Sequence, residues 1–146
     1  MSSAGARIAL AAMRGIGSKK SAERLFAFYH ANTCAVDPIQ VITGCTFGNS
    51  NIIVKDEKQH VLELVRQSDG IGVKAELNKG VLSNMRDCME LKRAYESLSN
   101  ETERKKLKET FDEEFEDMLH ILRTYKDDSI VTLTEFKIDI KPFLRY

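Results

Sequence analysis

The chain has 146 residues, 42% of them hydrophobic and 30% charged, with 22 basic and 22 acidic side chains that cancel to a formal net charge of zero. That balance excludes a wholly disordered protein, and a single domain of this length buries about two-thirds of its unfolded surface. It also argues against a nucleic-acid surface, which needs a basic excess to displace counterions, while three cysteines, an odd number, do not make a disulfide framework.

Residues 4–14, "AGARIALAAMR", read as a helix of good helix formers, with Gly15 and Gly17 as stop and turn. Its apolar run is too short to span a bilayer, and no charged-then-apolar secretory segment opens the chain. The reading is a reducing, cytoplasmic setting without membrane association, where cysteines bind metal, act in redox chemistry or pack. "RLFAFYH", 24–30, is a strand. Asp37 before Pro38 reads as a helix start, with the aspartate as cap, and Gly44 as its left-handed end. "CTFGNSN" is a loop in which Gly48 and Asn49 tolerate unusual backbone angles. "NIIVKD" and "HVLELVRQ" read as strands joined by a hairpin turn at "DEKQ", and "GIGVKAEL" as a third strand after a turn at Asp69-Gly70. Together they predict an antiparallel meander.

After Gly80 the periodicity becomes helical, with Leu82, Met85, Met89 and Tyr95 on one side. A longer helix begins at Asn100, a capping residue with Glu103 three positions on. Its stripe of Leu107, Phe111, Phe115, Met118, Leu119 and Leu122 is positioned to cover the sheet or a two-fold interface. "TEFKIDIKPF" reads as a last strand ending at Pro142. The fold class is α+β: a small antiparallel sheet flanked by helices, with a long helix in the C-terminal half and a final strand. Open sheet edges in a domain this small predict a homodimer.

Cys34 and Cys45 flank the Asp-Pro helix, whose short length can return its ends toward one region. His30, Asp37 and His60 are the candidate co-ligands, although none has a short paired spacing with a cysteine. Burial as small apolar residues is the plain alternative. Cys45 with His30 or His60 as a nucleophile–base pair is another. Cys88, between methionines on a helix, reads as core, and His120 as a helix-face residue. The loop amides near Gly44 and Gly48 offer an anion cradle or simply a tight turn, and an exposed Phe47 would suit a ligand pocket.

The stretch "CAVDPIQVITGCTFGNSNIIVKD" resembles the FmdE family of formylmethanofuran dehydrogenase proteins. Its members carry a C-x-x-D-[AP]-I-Q segment followed by G-C-T-x-G-x-x-N. Cys34, Asp37, Ile39 and Gln40 match the first part, and Gly44, Cys45, Thr46, Gly48 and Asn51 match the second. The resemblance implies a single domain that is accessory to molybdenum or tungsten enzymes of one-carbon metabolism and partners their subunits. It would bind a divalent transition metal, zinc foremost, through Cys34, Cys45, His30 and Asp37, with Thr46, Phe47, Gly48 and Asn51 near a small ligand. Two departures stand out. The family's H-G-H-x-C-P-G type motif ahead of the first helix has no counterpart after Met1, which implies a late-assigned start or a truncated member. Lys58 and Gln59 stand where the family often has a glycine and a lysine. Without a molybdopterin or iron–sulfur signature the chain is not expected to perform the redox step itself. A small enzyme using Cys45, and a metal-free dimeric interaction domain, are the alternatives.

Overall fold

The computed structural model describes residues 2–17 and 24–144. In chain order they form α1 (Ser2–Ile16), β1 (Leu25–Tyr29), α2 (Val36–Thr43), β2 (Ile52–Val54), β3 (Val61–Arg66), β4 (Ile71–Leu77), α3 (Lys79–Ser97), α4 (Glu101–Thr124), α5 (Asp127–Ile130), β5 (Val131–Lys137) and a 3₁₀ turn at Lys141–Phe143. The α+β class, the long helix in the second half and the closing strand are as the sequence predicts. Among the described residues no helix is long and apolar enough to cross a membrane.

The five strands lie in the order β2-β1-β3-β4-β5. The predicted hairpin between "NIIVKD" and "HVLELVRQ" does not form. β2 instead pairs with β1 in parallel, Ala27 opposite Ile52, while β1 pairs antiparallel with β3, Leu25 opposite Arg66. The reason lies in β1. All five residues of "LFAFY" are buried, so the strand needs cover on both faces and a neighbour on each edge. β2 is three residues long and only partly buried, which suits an edge. The turn residues 55–60 therefore cross the end of β1 instead of closing a hairpin.

Alternation along the strands divides the core in two. Leu25, Ala27, Tyr29, Leu62, Leu64, Val73 and Ala75 face the helices in the main cluster. Phe26, Phe28 and Val65 face the opposite side, where Ile140 and the 3₁₀ turn cover them. Phe28 and Phe143 meet edge-on with ring centroids 5.0 Å apart. The last strand thus ends at Lys137, before Pro142, because Ile138 and Ile140 leave the sheet edge to shield this second face.

α1 runs through Gly15, and Gly17, with φ +66°, ends it. Its face of Ala4, Ile8, Ala9, Ala11 and Ala12 is sealed against the sheet and α2. Gly5 permits the closest approach: a Cβ there would lie 2.6 Å from the Ala35 carbonyl oxygen. Arg7 ties the same helix to the end of α4. Its guanidinium donates to the Leu122 carbonyl at 2.7 Å, to the Tyr125 carbonyl, and to Asp127 Oδ1 at 3.0 Å. That satisfies carbonyls that a helix end leaves unpaired.

Asn100 caps α4 through Thr102 and Glu103, as its position predicts. The aromatic stripe of α4 packs against α3 and not over the sheet: Tyr95 lies 5.5 Å from Phe111, and Phe111 5.5 Å from Phe115. α1 already occupies the sheet's helical face, which leaves the stripe only the neighbouring helix.

Replacing Gly5 by Ala is predicted to lower stability by about 1–3 kcal/mol through overpacking against Ala35. Gly80→Ala, on α3 with open space around it, serves as control. Thermal melts of the two variants check this, and a Gly5→Ala midpoint equal to wild type would refute the close-packing account.

Candidate functional site

The carboxyl end of β1 gathers the polar side chains. Three backbone bonds fasten the 55–61 connection across it: Lys55 N–H to Tyr29 O at 2.8 Å, Gln59 N–H to His30 O at 2.9 Å, and His30 N–H to Val61 O at 3.1 Å. This crossing presents Glu57 and His60 to β1. Lys58 within it has φ +57°, a left-handed conformation that favours glycine. The glycine common in the resembling family at this place thus has a conformational role, and a lysine here adopts the same turn.

His30 sits between two carboxylates, with Nδ1 2.7 Å from Glu57 Oε2 and Nε2 2.5 Å from Glu63 Oε1. Both ring nitrogens are engaged, so neither offers a lone pair toward Cys34. Beside it, the Tyr29 hydroxyl donates to His60 Nδ1 at 3.0 Å. Burial lowers the His60 pKa, which favours the neutral ring. Burial also pushes the Tyr29 phenol up to about 12, with a hydrogen bond to Thr33 pulling the other way and the nearby Cys34 adding to the rise. Tyr29, Thr33, Cys34 and His60 are therefore neighbours at the mouth between β1 and α2.

The two flanking cysteines have opposite fates. Cys34 is exposed. Cys45 is fully buried in the main core, and burial raises its pKa to about 11, partly offset by Thr43. A thiol that ionises so high supplies almost no thiolate at neutral pH, which removes the basis for a Cys45 nucleophile. Asp37 is exposed on the first turn of α2, but the N-cap is Ala35 and no side chain caps the helix. The helix starts one turn position earlier than the Asp-Pro pair suggests, because Ala35 and Val36 are drawn into the core. Among the described residues no three His, Cys, Asp or Glu side chains are grouped to hold a metal ion. By themselves these residues do not complete a zinc site, which takes four ligands.

In the loop after α2, Gly44 takes the left-handed cap at φ +73°, as predicted, but Ser50, not Gly48 or Asn49, carries the other positive φ, +55°. Thr46 N–H donates to Asn51 Oδ1 at 2.7 Å, Phe47 N–H to Gln40 Oε1 at 3.2 Å, and Asn49 N–H to Thr46 Oγ1 at 3.1 Å. The Ser50 and Asn51 amides also bond within the loop. These amides are spent on the turn itself, so the anion cradle has little to offer. Thr46 and Asn51 hold the loop, and Asn51 Nδ2 reaches back to the Leu25 carbonyl of β1. What the loop displays is Phe47, 58% exposed. With Phe26, Ile52, Pro142 and Phe143 it lines a cavity of about 340 Å³ on the second face of the sheet. The cavity's other walls come from the chain's end, which sequence spacing does not connect to Phe47. Cys88 is buried in the α3–α4 seam, as predicted, and His120 is exposed.

Comparison with known proteins places this geometry in context. The family described as FmdE, molybdenum formylmethanofuran dehydrogenase operon, matches residues 1–132. The chain belongs to that family. A solved FmdE-like protein of tungsten formylmethanofuran dehydrogenase from Syntrophus aciditrophicus shares the fold, with a TM-score of 0.56 at 19% identity, covering 98% of this chain and 68% of that one. A protein of Archaeoglobus fulgidus named as a probable S-adenosyl-L-methionine-binding protein is 35% identical over 79 residues, 51% of this chain. The chain spans only 22% of the length of that relative.

The buried thiol gives a pH prediction. Folding holds Cys45 protonated up to about pH 11, against 9.0 without burial. Its contribution is therefore intact below about pH 9 and drains away as pH climbs toward 11, on the order of 3 kcal/mol in all. Urea midpoints followed across this window should fall more steeply for wild type than for Cys45→Ala; equal slopes would mean the thiol is not sealed.

Proposed function

We propose that the chain is an accessory domain for a molybdenum or tungsten enzyme of one-carbon chemistry, and that it holds a divalent transition metal, zinc foremost, with Cys34 as the thiolate ligand. The observation that carries this reading is the placement of Cys34: an exposed thiol at the carboxyl end of β1, beside the neutral His60 that Tyr29 orients. Soft thiolate and neutral imidazole are the donors zinc favours. Two donors are too few, so a further segment must complete the set. The N-terminal end of α1 packs on Ala35 next to Cys34, which makes it the natural point of arrival. Cys45 takes no part in this reading because it is sealed in the core.

Elemental analysis of protein purified without chelator tests the reading. About one divalent metal per chain should be present, lost in Cys34→Ser and kept in Cys45→Ser. Metal-free wild-type protein, or metal kept in Cys34→Ser, ends it.

A second reading rests on the cavity at Phe47. The Archaeoglobus relative's name points to S-adenosylmethionine, and exposed aromatic faces suit both a stacked adenine and a sulfonium cation. About 340 Å³ lies at the low end of small-ligand pockets. Calorimetric titration with S-adenosylmethionine should give heat that Phe47→Ala removes; no heat with wild type refutes this reading.

A further inference from the structure

β5 ends the sheet, and its outer edge is the longest open edge among the described residues: seven residues against three in β2. Two hydrogen bonds fix which of its backbone groups face outward. Asn78 N–H donates to Ile130 O at 2.8 Å, and Ile138 N–H to Gly70 O at 2.9 Å. Both lie in the register that sets Val73 opposite Glu135, so the even-numbered residues of β5 bond to β4. The odd-numbered residues turn their N–H and C=O groups outward. Val131 N–H is taken by the Asp127 carbonyl. Leu133, Glu135 and Lys137 therefore present the edge. All three are exposed, and neither charge has an ion-pair partner among the described residues. Phe136 does not crowd the edge, because its ring leans over Gly72 of β4.

We propose that this edge is a docking surface for a second copy of the chain, with β5 pairing antiparallel to β5 of its partner about a two-fold axis at Phe136. The occupant and the register follow from charge. A strand meets its own copy antiparallel across a two-fold axis, and only three registers let these outward groups bond. Centring on Glu135 sets two carboxylates face to face. Centring on Thr134 sets Glu135 against Leu133 and leaves both charges unpaired. Centring on Phe136 sets Glu135 opposite Lys137 twice, with each backbone group on those residues bonded. Opposite charges directly across a pair of strands stabilise it, and like charges oppose it. The two five-stranded sheets then become one continuous sheet, which removes the open edge from both copies.

Analytical ultracentrifugation of the full chain, with and without chelator, is the test. Wild type should sediment at twice the 16.6 kDa chain mass in both conditions, since this interface does not involve Cys34. Glu135→Lys and Lys137→Glu should each weaken dimerisation by about tenfold or more, because each sets like charges across the axis twice. The double variant carrying both changes should restore it. Circular dichroism and melting temperature confirm that each variant folds. A monomeric wild type, single variants that dimerise like wild type, or a double variant no better than the singles each overturns the proposal.

Discussion

The contact on which the rest of the molecule depends is the approach of α1 to the turn between β1 and α2. An alanine-rich helix has little side chain to hold its neighbours away, and Gly5 removes even the Cβ where Ala35 comes in. Backbone then meets backbone, and the turn bearing Cys34 is fixed against a rigid helix. The opposite edge of α1 is tied down through Arg7, whose side chain is only 14% exposed and takes up carbonyls at the end of α4. One helix therefore sets both the sheet's main core and the height at which the α3–α4 pair stands.

A second constraint builds the polar cluster. Because β2 returns parallel to β1, the chain must cross the end of β1 to reach β3. That crossing brings Glu57 to His30 and His60 to Tyr29, residues about thirty positions apart. The left-handed turn at Lys58 makes the crossing short enough to hydrogen-bond. Chemistry at this end of the sheet thus comes from topology, and the Cys–Cys pair that draws the eye in the sequence is divided by it. Cys45 serves packing, and Cys34 faces solvent.

Much was legible in advance, for identifiable reasons. Gly44 at the end of α2, Asn100 at the start of α4 and the burial of Cys88 follow from local rules of capping and periodicity. The strand partners were less accessible. A four-residue polar segment between two apolar runs reads as a hairpin, yet the unbroken burial of "LFAFY" was the better signal, since a strand covered on both faces belongs inside the sheet. Membership of the FmdE family, matched over residues 1–132, was visible in the motif between Cys34 and Asn51. The meaning of that motif was not. Thr46 and Asn51 turn out to fasten a loop, and Phe47 finds its cavity partners almost a hundred residues away at Pro142 and Phe143.

The sequence by itself determined the elements, their caps, the class of fold and the family, because these depend on residues within a few turns of one another. Only the tertiary structure decided which strands are neighbours, which of two similar cysteines meets water, and which histidine is clamped by carboxylates. Those outcomes depend on how α1 and β1 compete for the centre of the core, a competition settled by burial across the whole chain and not by spacing along it.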